Sequence, residues 1–271
     1  MTKTEKERVD VLLVERGLLE TREKAKRAIM AGQVFSNEIR IEKAGEKISV
    51  DAPLAVKGNT LKYVSRGGLK LEKALEVFDV SVQDKLVLDI GASTGGFTDC
   101  ALQNGAKHCY ALDVGYNQLA WKIRQDQRVT VMERTNFRYV TEEQLKEGRP
   151  DFATIDVSFI SLKLILPVLK QLIQPGGDVV ALVKPQFEAG KEKVGKKGVV
   201  RDQKVHLEVL TKIADFAVET GFSLVDASFS PITGGEGNIE FLYHLRSTND
   251  PTTLTRETLE KLIEESHQQL K

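Results

Sequence analysis

Cysteine is almost missing from this chain: only Cys100 and Cys109 occur among 271 residues. That excludes a disulfide framework, and neither residue has metal-ligand spacing, so no metal is expected. Long apolar runs are also missing. The most apolar helix candidate, residues 161–173, is broken by Lys163, Pro167, Lys170 and Gln171, well short of the ~18 apolar residues of a membrane span. The first ten residues, MTKTEKERVD, are charged and no apolar stretch follows. A secretory leader is therefore not expected, and the chain reads as cytoplasmic, without a membrane partner. There is no net charge either, with 39 basic and 39 acidic side chains. The balance hides an asymmetry. Residues 1–70 carry 15 basic and 10 acidic side chains, an excess of +5 that the remainder cancels. A basic front end points to a polyanion met through one domain; a solvated surface explains the same excess.

What is present is the pattern of a globular α/β chain of one to two domains, long enough to bury a sizeable core. Apolar residues at Val9, Leu12, Leu13 and Val14 have helical spacing, and Gly17 suits the end of that helix. Thr21 suits the cap of a second helix over 24–31, ending at Gly32. Short strands are expected at 33–36, 39–41 and 47–50, which makes a small α+β unit of about the first 60 residues. From residue 85 strands alternate with helices. Strands are expected at 86–90, 108–113, 129–132, 152–156, 178–184, 224–228 and 239–245, with helices over 97–104, 119–125, 160–173 and 205–220 between them. That alternation predicts a parallel sheet covered on both faces. The last residues, from Pro251, read as one amphipathic helix with Leu254, Leu259, Leu262 and Ile263 on one side. The expected domains are 1–60, a connecting segment and helix over 61–82, 83–247, and a C-terminal helix over 248–271.

The first α/β strand ends in a glycine-rich turn, Asp89-Ile-Gly91-Ala92-Ser93-Thr94-Gly95-Gly96-Phe97. Ligands of such sheets bind at the carboxyl ends of the strands. Three chemistries fit a turn of this kind. Gly91-x-Ser93-x-Gly95 matches a hydrolase nucleophile elbow, but histidines are scarce and Asp89 is left unexplained. A nicotinamide site favours Gly-x-Gly-x-x-Gly, and position 93 is Ser. An S-adenosylmethionine site suits the residues best: Asp89 for the ammonium, Asp113 at the next strand end for the ribose, and 134–136, ending at Asn136, for the adenine edge.

Three further charges lie at strand ends in apolar segments: Asp156, Lys184 and Glu240. Each is costly there unless paired. An isolated charge reaching solvent is the competing explanation for each one singly. Together with Lys70, which follows the turn Ser65-Arg66-Gly67-Gly68, they suggest a site.

Lys70, Asp156, Lys184 and Glu240 resemble the Lys-Asp-Lys-Glu tetrad of FtsJ/RrmJ-type ribose 2′-O-methyltransferases. The first 60 residues resemble the RNA-binding domain named after ribosomal protein S-four, through Arg8-Val-Asp-x-x-Leu, Arg16-Gly, Thr21-Arg22, Ala25, Ile29-x-x-Gly32 and Val34. The combination, with Tyr63-Val-Ser-Arg-Gly-Gly-Leu-Lys70 and Asp156-Val-Ser-Phe-Ile-Ser, resembles the TlyA family, often labelled hemolysin A. The resemblance covers about residues 6–246. It implies a Rossmann-like S-adenosylmethionine-dependent methyltransferase sheet behind a small α+β RNA-binding domain, and 2′-O-methylation of cytidine in ribosomal RNA or ribosomal subunits. In that reading Lys184 orients or deprotonates the hydroxyl, or stays charged and stabilises the oxyanion; neither route needs a metal. Arg8, Arg16, Arg22, Lys24, Lys26, Arg27 and Arg66 are the candidate RNA contacts, with the four-lysine segment 190–198 as a basic loop near Lys184. The family label raises a membrane-lytic protein as a rival class, and an RNA-binding module without chemistry is another. The absent leader and span oppose the first; the four candidate catalytic side chains oppose the second.

Overall fold

The computed structural model describes residues 6–37, 39–57 and 62–270. The expected boundary at 60–61 lies outside the described residues; the chain divides into compact units of residues 1–62 and 63–271.

In the first unit, β1 (Lys6–Arg8) leads directly into α1 (Val9–Glu15), followed by α2 (Arg22–Met30), β2 (Val34–Ser36), β3 (Ile39–Arg40), β4 (Lys47–Ser49) and β5 (Ala55–Val56). The Thr21 hydroxyl accepts the Lys24 N–H and caps α2. Val9, Leu13, Ala25, Ile29 and Val34 form the core. β2 pairs with β3 and β5, whereas β4 pairs with β1. Asp10 is fully buried beside this core. It accepts from Arg8 Nε at 2.9 Å and Nη2 at 3.0 Å, and from Arg22 Nη2 at 2.9 Å.

The second unit opens with α3 (Gly68–Val77) and continues through β6 (Leu86–Ile90), α4 (Gly96–Gln103), β7 (His108–Leu112), α5 (Trp121–Arg124), β8 (Val129–Met132), β9 (Phe152–Ile155), α6 (Leu166–Leu172), β10 (Asp178–Val183), α7 (Pro185–Glu188), α8 (Gln203–Glu219), β11 (Phe222–Phe229), β12 (Phe241–Ser247) and α9 (Arg256–Gln269). One seven-stranded sheet runs in the order β11-β12-β10-β9-β6-β7-β8. Its strands are apolar on both faces, as a covered sheet requires. Leu88 and Ile90 belong to the core shared with Leu166, Ile213 and Ile263. Val87 faces the other way, with Leu71, Cys100 and Ile123.

The sequence predicted a wholly parallel sheet. The structure differs at β12, which runs antiparallel to both β10 and β11. No crossover helix lies between β11 and β12, only loop 230–240, so the chain reverses instead of returning to the same edge. The helix expected over 160–173 is also divided. Ser161 caps a 3-10 turn at Leu162–Leu164, and α6 restarts with Pro167 in its first turn, where a missing N–H costs nothing. The helix expected over 119–125 shortens to the single turn of α5.

The paired guanidinium groups of Arg8 and Arg22 hold the Asp10 carboxyl down at about 2, below the ordinary ~3.9. A depressed carboxylate contributes stability above about pH 4, which is lost as pH falls towards 2. Asp10→Asn should therefore speed hydrogen exchange of the α1 and α2 core amides by about tenfold at pH 7 and flatten its rise below pH 4; unchanged exchange would remove the ion pair from the stability of this unit.

Candidate active site

Each charged residue of the site is delivered by a strand end or helix start. Asp156 follows β9, where its N–H is held by the Ile90 carbonyl at 3.0 Å. Lys184 follows β10. Because β12 is antiparallel and pairs Phe241 with Val183, the residue before β12, Glu240, falls beside Lys184 at the same sheet edge. Lys70 comes from the first turn of α3. The four meet in a chain of alternating charge. Lys184 Nζ lies 2.5 Å from Asp156 Oδ1, Lys70 Nζ 3.7 Å from Asp156 Oδ2, and Lys70 Nζ 2.6 Å from Glu240 Oε2. Lys70, Lys184 and Glu240 are buried and Asp156 nearly so. Two ammonium groups and two carboxylates cancel, which is how four charges can share so little solvent.

These four line a cavity of about 860 Å³, as do Gly91, Ala92, Ser93, Thr94, Gly96, Phe97 and Arg66. Gly91 has φ +89°, and a Cβ there would collide with the Asp156 carbonyl; no other residue lets the turn pass so close to β9. Four of the expected cofactor residues lie elsewhere. Gly95 turns the chain into α4 from behind the cavity, against Leu119. Asp89 is 1% exposed, and its two oxygens accept from Thr98 Oγ1 at 2.6 Å and Thr154 Oγ1 at 2.9 Å. It ties β6 to α4 and β9 beneath the turn and does not face the cavity. Burial pushes its carboxyl up to about 6, against the pull of the two hydroxyls. Asp113, half-buried, accepts the backbone N–H of Ser93 at 2.8 Å and of Gly115 at 2.7 Å, so it fixes the turn while each oxygen keeps a lone pair. Asn136 is exposed and caps the 3-10 turn at Phe137–Tyr139.

Several cavity residues escape sequence reasoning. Phe159 is 89% exposed and has φ +62°, a backbone region where a bulky side chain is an outlier. Its ring centroid is 4.8 Å from that of Phe187, which in turn lies 5.9 Å from Lys184 Nζ. Glu188 holds this pair of loops together by accepting from Ser161 Oγ at 2.6 Å and Leu162 N–H at 2.7 Å. Gln186 donates to Glu240 Oε1 at 3.2 Å. Tyr116, near the Asp113 end, is exposed and lies under the Arg134 guanidinium at 4.0 Å. An aromatic just past a strand end was the available signal for Phe159, but its exposure depends on the fold.

Most of the expected RNA contacts of the first unit have partners within it. Arg8 and Arg22 hold Asp10. Arg16 donates to the backbone carbonyls of Val50 and Ala52. Lys24 pairs with Glu20 and Lys26 with Glu23, both exposed and cheap to break. Arg27 extends the same helix.

The FtsJ-like methyltransferase family profile matches residues 63–247, and the S4 domain profile matches residues 7–53. The chain is 66% identical over 271 residues to the Bacillus subtilis (strain 168) protein named "Putative rRNA methyltransferase YqxC", covering 99% of this chain and 96% of that one. It is 44% identical over 244 residues to the 16S/23S rRNA (cytidine-2′-O)-methyltransferase TlyA of Mycobacterium tuberculosis (strain ATCC 25618 / H37Rv), covering 90% and 91%. A solved structure named "Putative hemolysin" from Streptococcus thermophilus superposes with a TM-score of 0.78 at 56% identity, covering 98% of both chains. An S4 domain ahead of an FtsJ-like methyltransferase domain, with similarity along nearly the whole length, places this chain in the TlyA family.

Proposed function

We propose that the chain is a cytoplasmic enzyme that methylates the ribose 2′-hydroxyl of a cytidine in ribosomal RNA, using S-adenosylmethionine. The observation that carries this reading is the alternating Lys184–Asp156–Lys70–Glu240 chain at the rim of the cavity, beside the glycine-rich turn. The names of the relatives supply the base and the RNA. Among the described residues, no helix is long and apolar enough to cross a membrane.

The cavity has the volume of a small-molecule site. The turn from Gly91 to Phe97 would hold the amino-acid part of the cofactor, Asp113 the ribose hydroxyls, and Asn136 with Tyr116 the adenine edge. Asp89 acts from below, by fixing the turn. When bound, the cofactor supplies a methyl group on a sulfonium. The rest falls to the protein. A ribose hydroxyl is a weak nucleophile, so catalysis requires aim and charge stabilisation. Lys184 Nζ has three N–H donors; Asp156 Oδ1 takes one and Ser158 Oγ, at 3.2 Å, another. The third is available to donate to the 2′-oxygen as negative charge develops there; the hydroxyl proton passes to solvent water, and the C–S bond of the sulfonium breaks as the methyl group moves to oxygen, leaving a neutral thioether. Asp156 and Glu240 hold Lys184 and Lys70 in place, and losing any one of the four strands a buried charge. Phe159 and Phe187 offer an apolar face to the base of the same nucleotide, the way unstacked RNA bases are commonly held. The basic loop 190–198 and the S4 domain supply phosphate contacts.

Lys184→Ala should lower methyl transfer to ribosomal RNA by ~10²–10⁴-fold at saturating cofactor, with circular dichroism unchanged; near-normal turnover would refute its place in the reaction. Calorimetry should show S-adenosylmethionine binding that weakens at least about tenfold in Asp113→Ala, the loss of two hydrogen bonds; equal affinity would take Asp113 out of the cofactor site. A chain beginning at Tyr63 should keep cofactor affinity and lose most RNA affinity, while RNA binding by the full chain should weaken as salt rises. Undiminished RNA binding by the shortened chain would assign RNA recognition to the second unit alone.

A further inference from the structure

Two glycine-rich loops border the cavity, 195–200 and 233–238, and one side chain joins them. Asn238 is 3% exposed. Its Oδ1 accepts the Val200 N–H at 3.0 Å, and its Nδ2 donates to the Gly198 carbonyl at 2.9 Å and the Gly235 carbonyl at 2.9 Å. We infer that Asn238 is a positioning residue for the transfer reaction, a clasp that fixes the lysine-bearing loop 195–200 to the loop carrying Glu240. The inference rests on the reading of the cavity as an RNA methylation site.

The chemistry of the clasp is specific to an amide. The position must present one acceptor and two donors at once, and all three are used. An aspartate of the same size would set a carboxylate oxygen against two carbonyl oxygens. The loops need such a tie because their own backbone is unfavourable. Lys197 and Glu236 have φ of +68° and +56°, conformations that side-chain-bearing residues rarely hold unless surroundings impose them. Residues 195–198 are exposed, whereas Val199 and Val200 are buried, so the loop is anchored at its base. Val200 is held from both sides, its N–H by Asn238 and its carbonyl by His206 Nε2 at 3.1 Å.

The clasp bears on the reaction through its two ends. Lys197 and Gly198 line the cavity on one side, Thr233 to Glu236 on the other. Two residues beyond Asn238 is Glu240, whose carboxylate packs so closely on Gly234 that a Cβ there would collide with it. A lysine at this rim is placed for the phosphate flanking a ribose held at Lys184. Freed from Asn238, the same lysine would retain its charge but lose its place.

The test compares wild type, Asn238→Asp, Lys196→Gln/Lys197→Gln and the combined variant, with Asn238→Ser replacing Asn238→Asp if the latter lacks the wild-type fold. The measurements are KM and kcat for methyl transfer to ribosomal RNA, the RNA Kd without cofactor, and cofactor affinity by calorimetry. The expected result is an RNA KM and Kd raised about tenfold or more by the Asn238 variant, with cofactor affinity within about twofold. Adding the lysine changes should cost less than about twofold more, since both act through one loop. Wild-type RNA parameters in the Asn238 variant, cofactor affinity falling in step with RNA affinity, or multiplicative losses in the combined variant would each overturn the inference. If the wild-type chain binds ribosomal RNA but transfers no methyl group, the methylation reading fails, while the RNA Kd values still decide whether the clasp orders the loop.

Discussion

Four mostly buried charges share one sheet edge, and their mutual neutralisation constrains the rest of the second unit. Lys184, Asp156, Lys70 and Glu240 alternate in sign with contacts of 2.5, 3.7 and 2.6 Å. Each arrives from a different element: β10, β9, α3 and the loop before β12. The two ammonium groups and two carboxylates balance one another, and removing one leaves its neighbour's charge less compensated. The turns that deliver them are each tied by a specific contact. Gly91 lets β6 and β9 end in contact, Glu188 ties α7 to the loop carrying Phe159, and Gln186 adds a second hold on Glu240.

Beneath that edge lies a second buried acid with a different task. Asp89 spends both oxygens on Thr98 and Thr154, so β6, α4 and β9 are locked where the glycine-rich turn begins. Its raised carboxyl, about 6, reflects burial without a cation. Asp113 also holds the turn, through Ser93, but from a half-exposed position that leaves it open to a ligand. Two acids at successive strand ends thus both support the turn, one from within the core and one from a half-exposed position. Exposure, not residue type, separates them.

The basic first unit shows a related division. Arg8 and Arg22 are bound to buried Asp10, and Arg16 to backbone carbonyls, so part of the positive excess maintains the fold. Lys24 and Lys26 pair with the exposed acids Glu20 and Glu23, contacts that add little to stability. A charge count over a segment sums both kinds and cannot separate them.

The sequence by itself determined the alternation of strands and helices, because strands covered on both faces need uninterrupted apolar runs. It also determined the candidate tetrad, because Asp156 and Lys184 end such runs, where an unpaired charge would be costly. It did not reveal why Glu240 belongs with them. In a parallel strand a residue at the start would lie at the opposite edge of the sheet; only the reversal of β12, pairing Phe241 with Val183, brings Glu240 to Lys184. Strand direction is set by how a connection closes between segments far apart in the chain, which no local pattern encodes. For the same reason Asp89 looked like a ligand contact until Thr98 and Thr154 converged on it, and the outward ring of Phe159, carried on a backbone with positive φ, had no local signature. Residue type sets what a side chain can do, but which neighbours reach it is decided by packing among elements that are distant in sequence.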